Sequence, residues 1–178
     1  MTDLDRGAAH DESRNESLNE ANPAEPPSPP APPPLVGNHS KVIRRTGDGE
    51  WAGVELEDYK FTTETWRGIS RQELIGKRGE SPRFHVRYFE IEPGGYSTLE
   101  KHEHEHVVIP LRGRGIAQFG CTIYNVEPGD VVYVSPNDPH QFRNADDATE
   151  PFGFWCLVNA ERDRPEAVDG VGFCHICE

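Results

Sequence analysis

Glu100, His102, His104 and His106 alternate with other residues in the run GGYSTLEKHEHEHVVIPLRGRG, and His140 follows much later. Neutral imidazole nitrogens and ionised carboxylates are donors that first-row transition metals take from proteins. The run leads into VVIPL, which reads as β, and alternate residues of a strand face the same side. A spacing of two therefore aims several of these donors into one space. Three imidazoles and one carboxylate on an ion that prefers six ligands would leave two positions for water, substrate or dioxygen. One divalent ion is expected, and Zn²⁺, Fe²⁺, Mn²⁺, Co²⁺, Ni²⁺ and Cu²⁺ are all chemically admissible.

Strict alternation would turn 100, 102, 104 and 106 inward together, so a His102–His104–His106 triad competes with sets that omit His104. Glu103 and Glu105 have the opposite parity and are expected to face solvent or a neighbouring subunit. The plain alternative, a charged and solvated β-edge, leaves three closely spaced histidines and the distant His140 unexplained. His85 lies in FHVRYFEIE, where a packed or surface strand position accounts for it.

The elements that must position these donors are short and β-like. WAGVELEDYKF, FHVRYFEIE, HVVIPL, GIAQFG, CTIYNVE, DVVYVS and FGFWCLV are rich in Val, Ile, Phe and Tyr. Turn chemistry separates them at EPGG (92–95), RGRG (112–115), EPGD (127–130) and SPNDP (135–139). TWRGISRQELIG at 65–76 is expected to hold a short helix or turn. The chain has no internal repeat, so strands at this spacing predict an all-β fold closed as a single small barrel or sandwich. Cys121 and Cys156 sit among β-like residues and read as buried thiols.

Residues 1–40 read as a disordered tail. Up to Leu35, seven acids (Asp3, Asp5, Asp11, Glu12, Glu16, Glu20, Glu25) oppose Arg6 and Arg14, and AEPPSPPAPPPL favours an extended polyproline form. His10 and His39 lie in or beside it. The formal net charge of −13 argues against nucleic-acid and anionic-membrane partners. No apolar run approaches the ~20 residues that span a bilayer, and the first residues lack the apolar core of a secretory signal, so a cytoplasmic location is expected. The C-terminal GFCHICE (Cys174, His175, Cys177) reads as a free thiol tail, with a zinc or disulfide role as the alternative.

The chain resembles the cupins, whose small jelly-roll barrels (double-stranded β-helices) carry a first motif G-x5-H-x-H-x3,4-E-x6-G. Here Gly94, Glu100, His102, His106 and Gly113 keep that spacing, with Glu and His exchanged at the outer ligand positions. A second motif runs from Gly129 through Ser135, Pro136, Asn137, Asp138 and Pro139 to His140 and Asn144, without the usual glycine in its proline turn. The resemblance implies a cupin barrel over 41–165, a tail at 166–178, and Glu100, His102, His106 and His140 as metal ligands. It leaves His104 as an alternative ligand or pocket residue. A homodimer is also implied, with the early strands at 51–61 available to be exchanged or packed between subunits.

A small barrel mouth admits one small-molecule substrate. Phe142 shares parity with His140 and is expected in the pocket, with Tyr133 and Phe119 as further candidates. Tyr124, Phe152, Phe154 and Trp155 are available for barrel walls. Arg87, Arg112, Arg114 and Arg143 read as surface strand residues, although any could anchor a carboxylate. No general base stands out among Glu103, Tyr133 and His104. An enzyme is favoured, first an iron- or manganese-type dioxygenase (an oxidoreductase). A Lewis-acid isomerase, decarboxylase or lyase and a non-catalytic binder of metal or small molecules are the alternatives.

Overall fold

The computed structural model describes residues 36–38, 40–61, 64–80 and 82–169. The acidic proline-rich segment, His10, His39 and the GFCHICE residues lie outside the described residues. Strands form β1 (Arg45–Gly47), β2 (Glu50–Trp51), β3 (Glu57–Asp58), β4 (Arg67–Ile75), β5 (Phe84–Tyr96), β6 (Glu100–Lys101) and β7 (His106–Arg112). They continue as β8 (Gly115–Phe119), β9 (Thr122–Val126), β10 (Val132–Val134), β11 (His140–Asn144), β12 (Phe152–Asn159) and β13 (Glu166–Ala167). All pairings are antiparallel, no helix occurs among the described residues, and the fold is an all-β jelly-roll barrel.

One half of the curled sheet runs β10-β7-β12-β5-β4-β3, and the other runs β9-β8-β11-β6-β13. The halves join where Tyr96 at the end of β5 meets Arg143 of β11. The EPGG segment does not end a strand. It bends β5: pairing with β4 passes from Ile69↔Ile91 directly to Arg67↔Tyr96. Gly94 takes φ +71°, a left-handed conformation that a side chain resists.

Residues 65–76 hold no helix; Arg67–Ile75 is a nine-residue strand. Its polar composition gave a weak β signal. Pairing with β5 supplies the backbone partners, so tertiary context overrides local propensity. The sheet also runs past residue 165, because β13 adds to the edge of β6 through Glu166↔Lys101.

Strand parity sorts the core. Phe89 and Ile91 turn inward with Val108, Val134, Phe142, Phe152, Phe154 and Cys156. Tyr88 turns to the other face of β5, where Trp51 and Leu74 cover it, the Trp51 and Tyr88 ring centroids 4.6 Å apart. Phe152 is fully buried, and truncating such a phenylalanine to alanine typically costs about 3–5 kcal/mol. Cys156 is buried, whereas Cys121 is only partly so.

Candidate metal centre

Three elements deliver three histidines to one interior point. His106 opens β7, paired with Val134 and Val158. His140 opens β11 in the other half of the sheet, paired with Phe119 and Glu100. His102 follows β6 directly, and its carbonyl accepts the Asn137 N–H at 2.7 Å, which ties the two motif regions together. One ring nitrogen from each of the three lies within 4.8 Å of the others, and all three residues are buried.

The alternation expected across 100–106 breaks after β6. Asp163 accepts the backbone N–H of Glu103 at 2.8 Å and that of His104 at 3.0 Å, so those groups leave the ladder and the chain bends. His104 then stacks on His102, with centroids 3.6 Å apart and planes 7° apart, and its Nδ1 lies 2.5 Å from Asp163 Oδ1. It lines the cavity but stands outside the nitrogen cluster. Burial opposes the Asp163 charge, yet these N–H groups and the His104 ring hold its carboxyl well below the usual range.

The remaining ring nitrogens fix the donor atoms. His102 Nδ1 donates to the His104 carbonyl at 2.7 Å, and His140 Nδ1 to the Asp138 carbonyl at 2.8 Å, which leaves both Nε2 atoms with free lone pairs. His106 Nδ1 lies 3.3 Å from Cys156 Sγ, and its Nε2 lies 3.3 Å from His140 Nε2. With the His106 proton on Nδ1, two lone pairs face each other at that separation, and a cation between them removes the repulsion. Burial first, then the neighbouring imidazoles His140 and His102, push His106 down to about 2. Burial and the His104 and His140 rings take His102 to about 4, and burial lowers His140. Near neutral pH all three are unprotonated, as metal ligation requires. The donor set fits a single metal ion.

Glu100 lines the same cavity, but its carboxylate lies against the Lys60 ammonium and 3.5 Å from the Tyr59 hydroxyl. Phe142 is buried beside the site, its centroid 6.2 Å from His140 and 6.5 Å from His106. Phe119 packs on Phe142 at 6.4 Å and stands one ring removed from the cavity. Tyr133 corrects the expected pocket: it is exposed on the outer face, donating to Glu105 Oε2 at 2.6 Å, because its strand neighbours Val132 and Val134 take the inward parity. Tyr124 is likewise exposed. Glu103 faces solvent as its parity predicts.

The cavity measures about 230 Å³. Sequence reading passed over Tyr59, Lys60, Arg71 and Arg162, which also line it; isolated charges on strands and loops carry no spacing signal. Arg87 lines it too, whereas Arg112, Arg114 and Arg143 do not. His85 stands outside it, with Nδ1 2.8 Å from Glu73 Oε1.

Residues 87–152 match the family described as Cupin domain. A curated relative from Rhodospirillum rubrum, 1-methylthio-D-xylulose 5-phosphate methylsulfurylase, is 44% identical over 117 residues, 65% of this chain and 72% of the relative. The chain belongs to the cupin family. A cupin-2 domain structure from Rhodospirillum rubrum is 41% identical with a TM-score of 0.64, over 72% of this chain and 84% of that one. A cupin 2 conserved barrel domain protein from Rhodopseudomonas palustris is 38% identical with a TM-score of 0.67, over 77% and 92%. No helix among the described residues of this cupin is long and apolar enough to cross a membrane.

Proposed function

We propose that this cupin is a metal-dependent enzyme that acts on a methylthio-substituted ketose phosphate at the His102–His106–His140 centre. The observation that carries the reading is the convergence of three anchored, unprotonated imidazoles in a barrel 44% identical to an enzyme named for such a substrate. A divalent ion held there supplies Lewis acidity toward a carbonyl or hydroxyl oxygen. Glu100 is the proposed fourth donor, exchanging its contact with Lys60 for the metal.

In a 1-methylthio 2-ketose the sulfur-bearing carbon adjoins the carbonyl, so when a thiol co-substrate takes the methylthio group as a mixed disulfide, the C–S electron pair can pass onto that oxygen as an enolate, which a proton then converts to the methyl ketone. Phe89, Phe142 and Phe154 line the cavity and give the methylthio group an apolar, aromatic surface. His104 is the proton-carrying group. Its Nδ1 is held on Asp163, which leaves Nε2 as the free ring nitrogen at the cavity wall.

The test is incubation of purified protein, loaded in turn with each candidate divalent ion, with 1-methylthio-D-xylulose 5-phosphate and a low-molecular-weight thiol as the methylthio acceptor. The methylthio proton resonance is followed by NMR. Loss of that resonance from the sugar is expected with at least one ion; an unaltered substrate with every ion sinks the reading. Parallel oxygen-uptake measurements test the dioxygenase alternative, whose support is the donor set with its open positions.

A further inference from the structure

We infer that Arg87 and Arg162, with Arg71 beside them, form a phosphate subsite in the same cavity, distinct from the three-histidine centre. The inference rests on the proposed ketose-phosphate reading for its substrate, and on the charge distribution of the cavity for its residues.

The chain carries a formal net charge of −13, yet four cations line this one cavity (Lys60, Arg71, Arg87 and Arg162) against a single carboxylate, Glu100. Lys60 is paired with that carboxylate, and Arg71 Nη2 meets Glu57 at 2.7 Å behind the wall. Arg87 and Arg162 have no carboxylate within ion-pair distance among the described residues. Arg87 Nη2 donates to Cys156 Sγ at 3.1 Å, a weak acceptor, and its guanidinium carbon lies 5.2 Å from the Phe89 ring centroid. Arg162 Nη1 reaches the Asn159 carbonyl and His85 Nδ1, each at 3.2 Å. The Nε atoms of Arg71 and Arg87 are buried and meet no acceptor among the described residues.

Half-buried guanidiniums that share one cavity, two of them without a paired carboxylate, are costly, and unused N–H donors add to that cost. Burial and the nearby charges of Arg87 and Arg71 press the Arg162 guanidinium downward, opposed by Glu73 behind His85. An oxyanion entering the cavity would offset the mutual repulsion of the guanidiniums and give the unused N–H groups an acceptor. Phosphate is the fitting anion, because its several oxygens can take forked N–H pairs from more than one guanidinium. With the phosphate end on Arg87 and Arg162, the opposite end of a short sugar chain is left for the histidines.

Isothermal titration of the full-length protein as purified, with inorganic phosphate, D-xylulose 5-phosphate and unphosphorylated D-xylulose, tests this. The two phosphates are expected to bind and the free sugar to bind far more weakly. Arg162→Gln should weaken both phosphates by about tenfold or more, given the strength of charge-assisted pairs. Arg87→Lys should also weaken them, because it keeps the charge and loses the fork. Both variants are scored only with cooperative melting like that of the parent protein, and Arg162, on the loop after β12, is the safer of the two. Wild-type phosphate affinity in a folded Arg162→Gln protein, or equal affinity for D-xylulose and its phosphate, overturns the subsite. Phosphate binding that depends on these arginines without turnover of the methylthio sugar leaves the subsite standing and removes the reaction.

Discussion

One set of side chains in the cavity, His102, His106 and His140, is uncharged, because burial takes solvent from the protonated imidazole and lowers each of them. A second set, Arg71, Arg87 and Arg162, keeps its charge, because a guanidinium stays protonated in proteins even when it is buried. The same removal of water thus prepares one set for a cation and leaves the other in need of an anion. A substrate with an oxygen to polarise at one end and a phosphate at the other would serve both. Cys156 links the two sets, since its sulfur lies 3.3 Å from His106 Nδ1 and 3.1 Å from Arg87 Nη2.

The largest expected effect breaks the histidine set alone. His140→Ala should lower metal affinity by more than about a hundredfold, beyond the 10–100-fold common for residues that only orient ligands. Metal analysis of the purified variant checks this, and a full complement of metal in it would remove the centre. Phosphate affinity through Arg162 should persist, which separates the two sets.

Glu100→Ala comes next. As fourth donor, Glu100 should be worth about tenfold or more in metal affinity, at least the effect of a typical outer-shell partner. Metal content equal to that of the parent would instead leave the carboxylate as a partner of Lys60 only. The companion variant His104→Ala should retain metal, because its ring is engaged by Asp163.

Cys156→Ala attacks the link. Loss of the sulfur beside His106 Nδ1 should cost about tenfold in metal affinity, the lower range for an orienting contact. Cys156→Ser, which keeps an acceptor, should recover much of it. Equal metal affinity in all three proteins would mean that the two sets are independent.

The smallest effect concerns a cation that is already neutralised. Burial disfavours the Glu80 carboxylate, but the Lys41 ammonium at 2.9 Å and the Arg78 and Gly76 N–H groups bring it down to about 2. A carboxyl lower in the folded than in the unfolded chain contributes stability that is full above the unfolded value, near 4.5, and is lost as pH falls toward 2. The melting-temperature difference between parent and Glu80→Gln should therefore be constant above pH 4.5 and shrink below it. A difference that instead grows on acidification would reverse the assignment.

Much of this was legible before folding. β-branched and aromatic runs between Gly- and Pro-containing turns carried most of the strands. The resemblance to the cupin motifs picked out His102, His106 and His140, which converge, where alternation alone left His104 in competition, and parity with His140 picked out Phe142. The strand at 67–75 was not legible, because its polar residues become β only by pairing with β5. Nor was the outward turn of Tyr133, since an apolar-looking VVYV run does not say which parity faces in.

The sequence by itself determined the donor types, their approximate register and the β-barrel class, because these depend on local periodicity and turn chemistry. Tertiary structure decided which charges meet. His104 is taken by Asp163, 59 residues away, and Glu100 by Lys60, 40 residues away. Arg87 and Arg162 join one cavity through the folding of β5 and the loop after β12. Such encounters depend on how distant strands close over one interior, and no spacing along the chain encodes them.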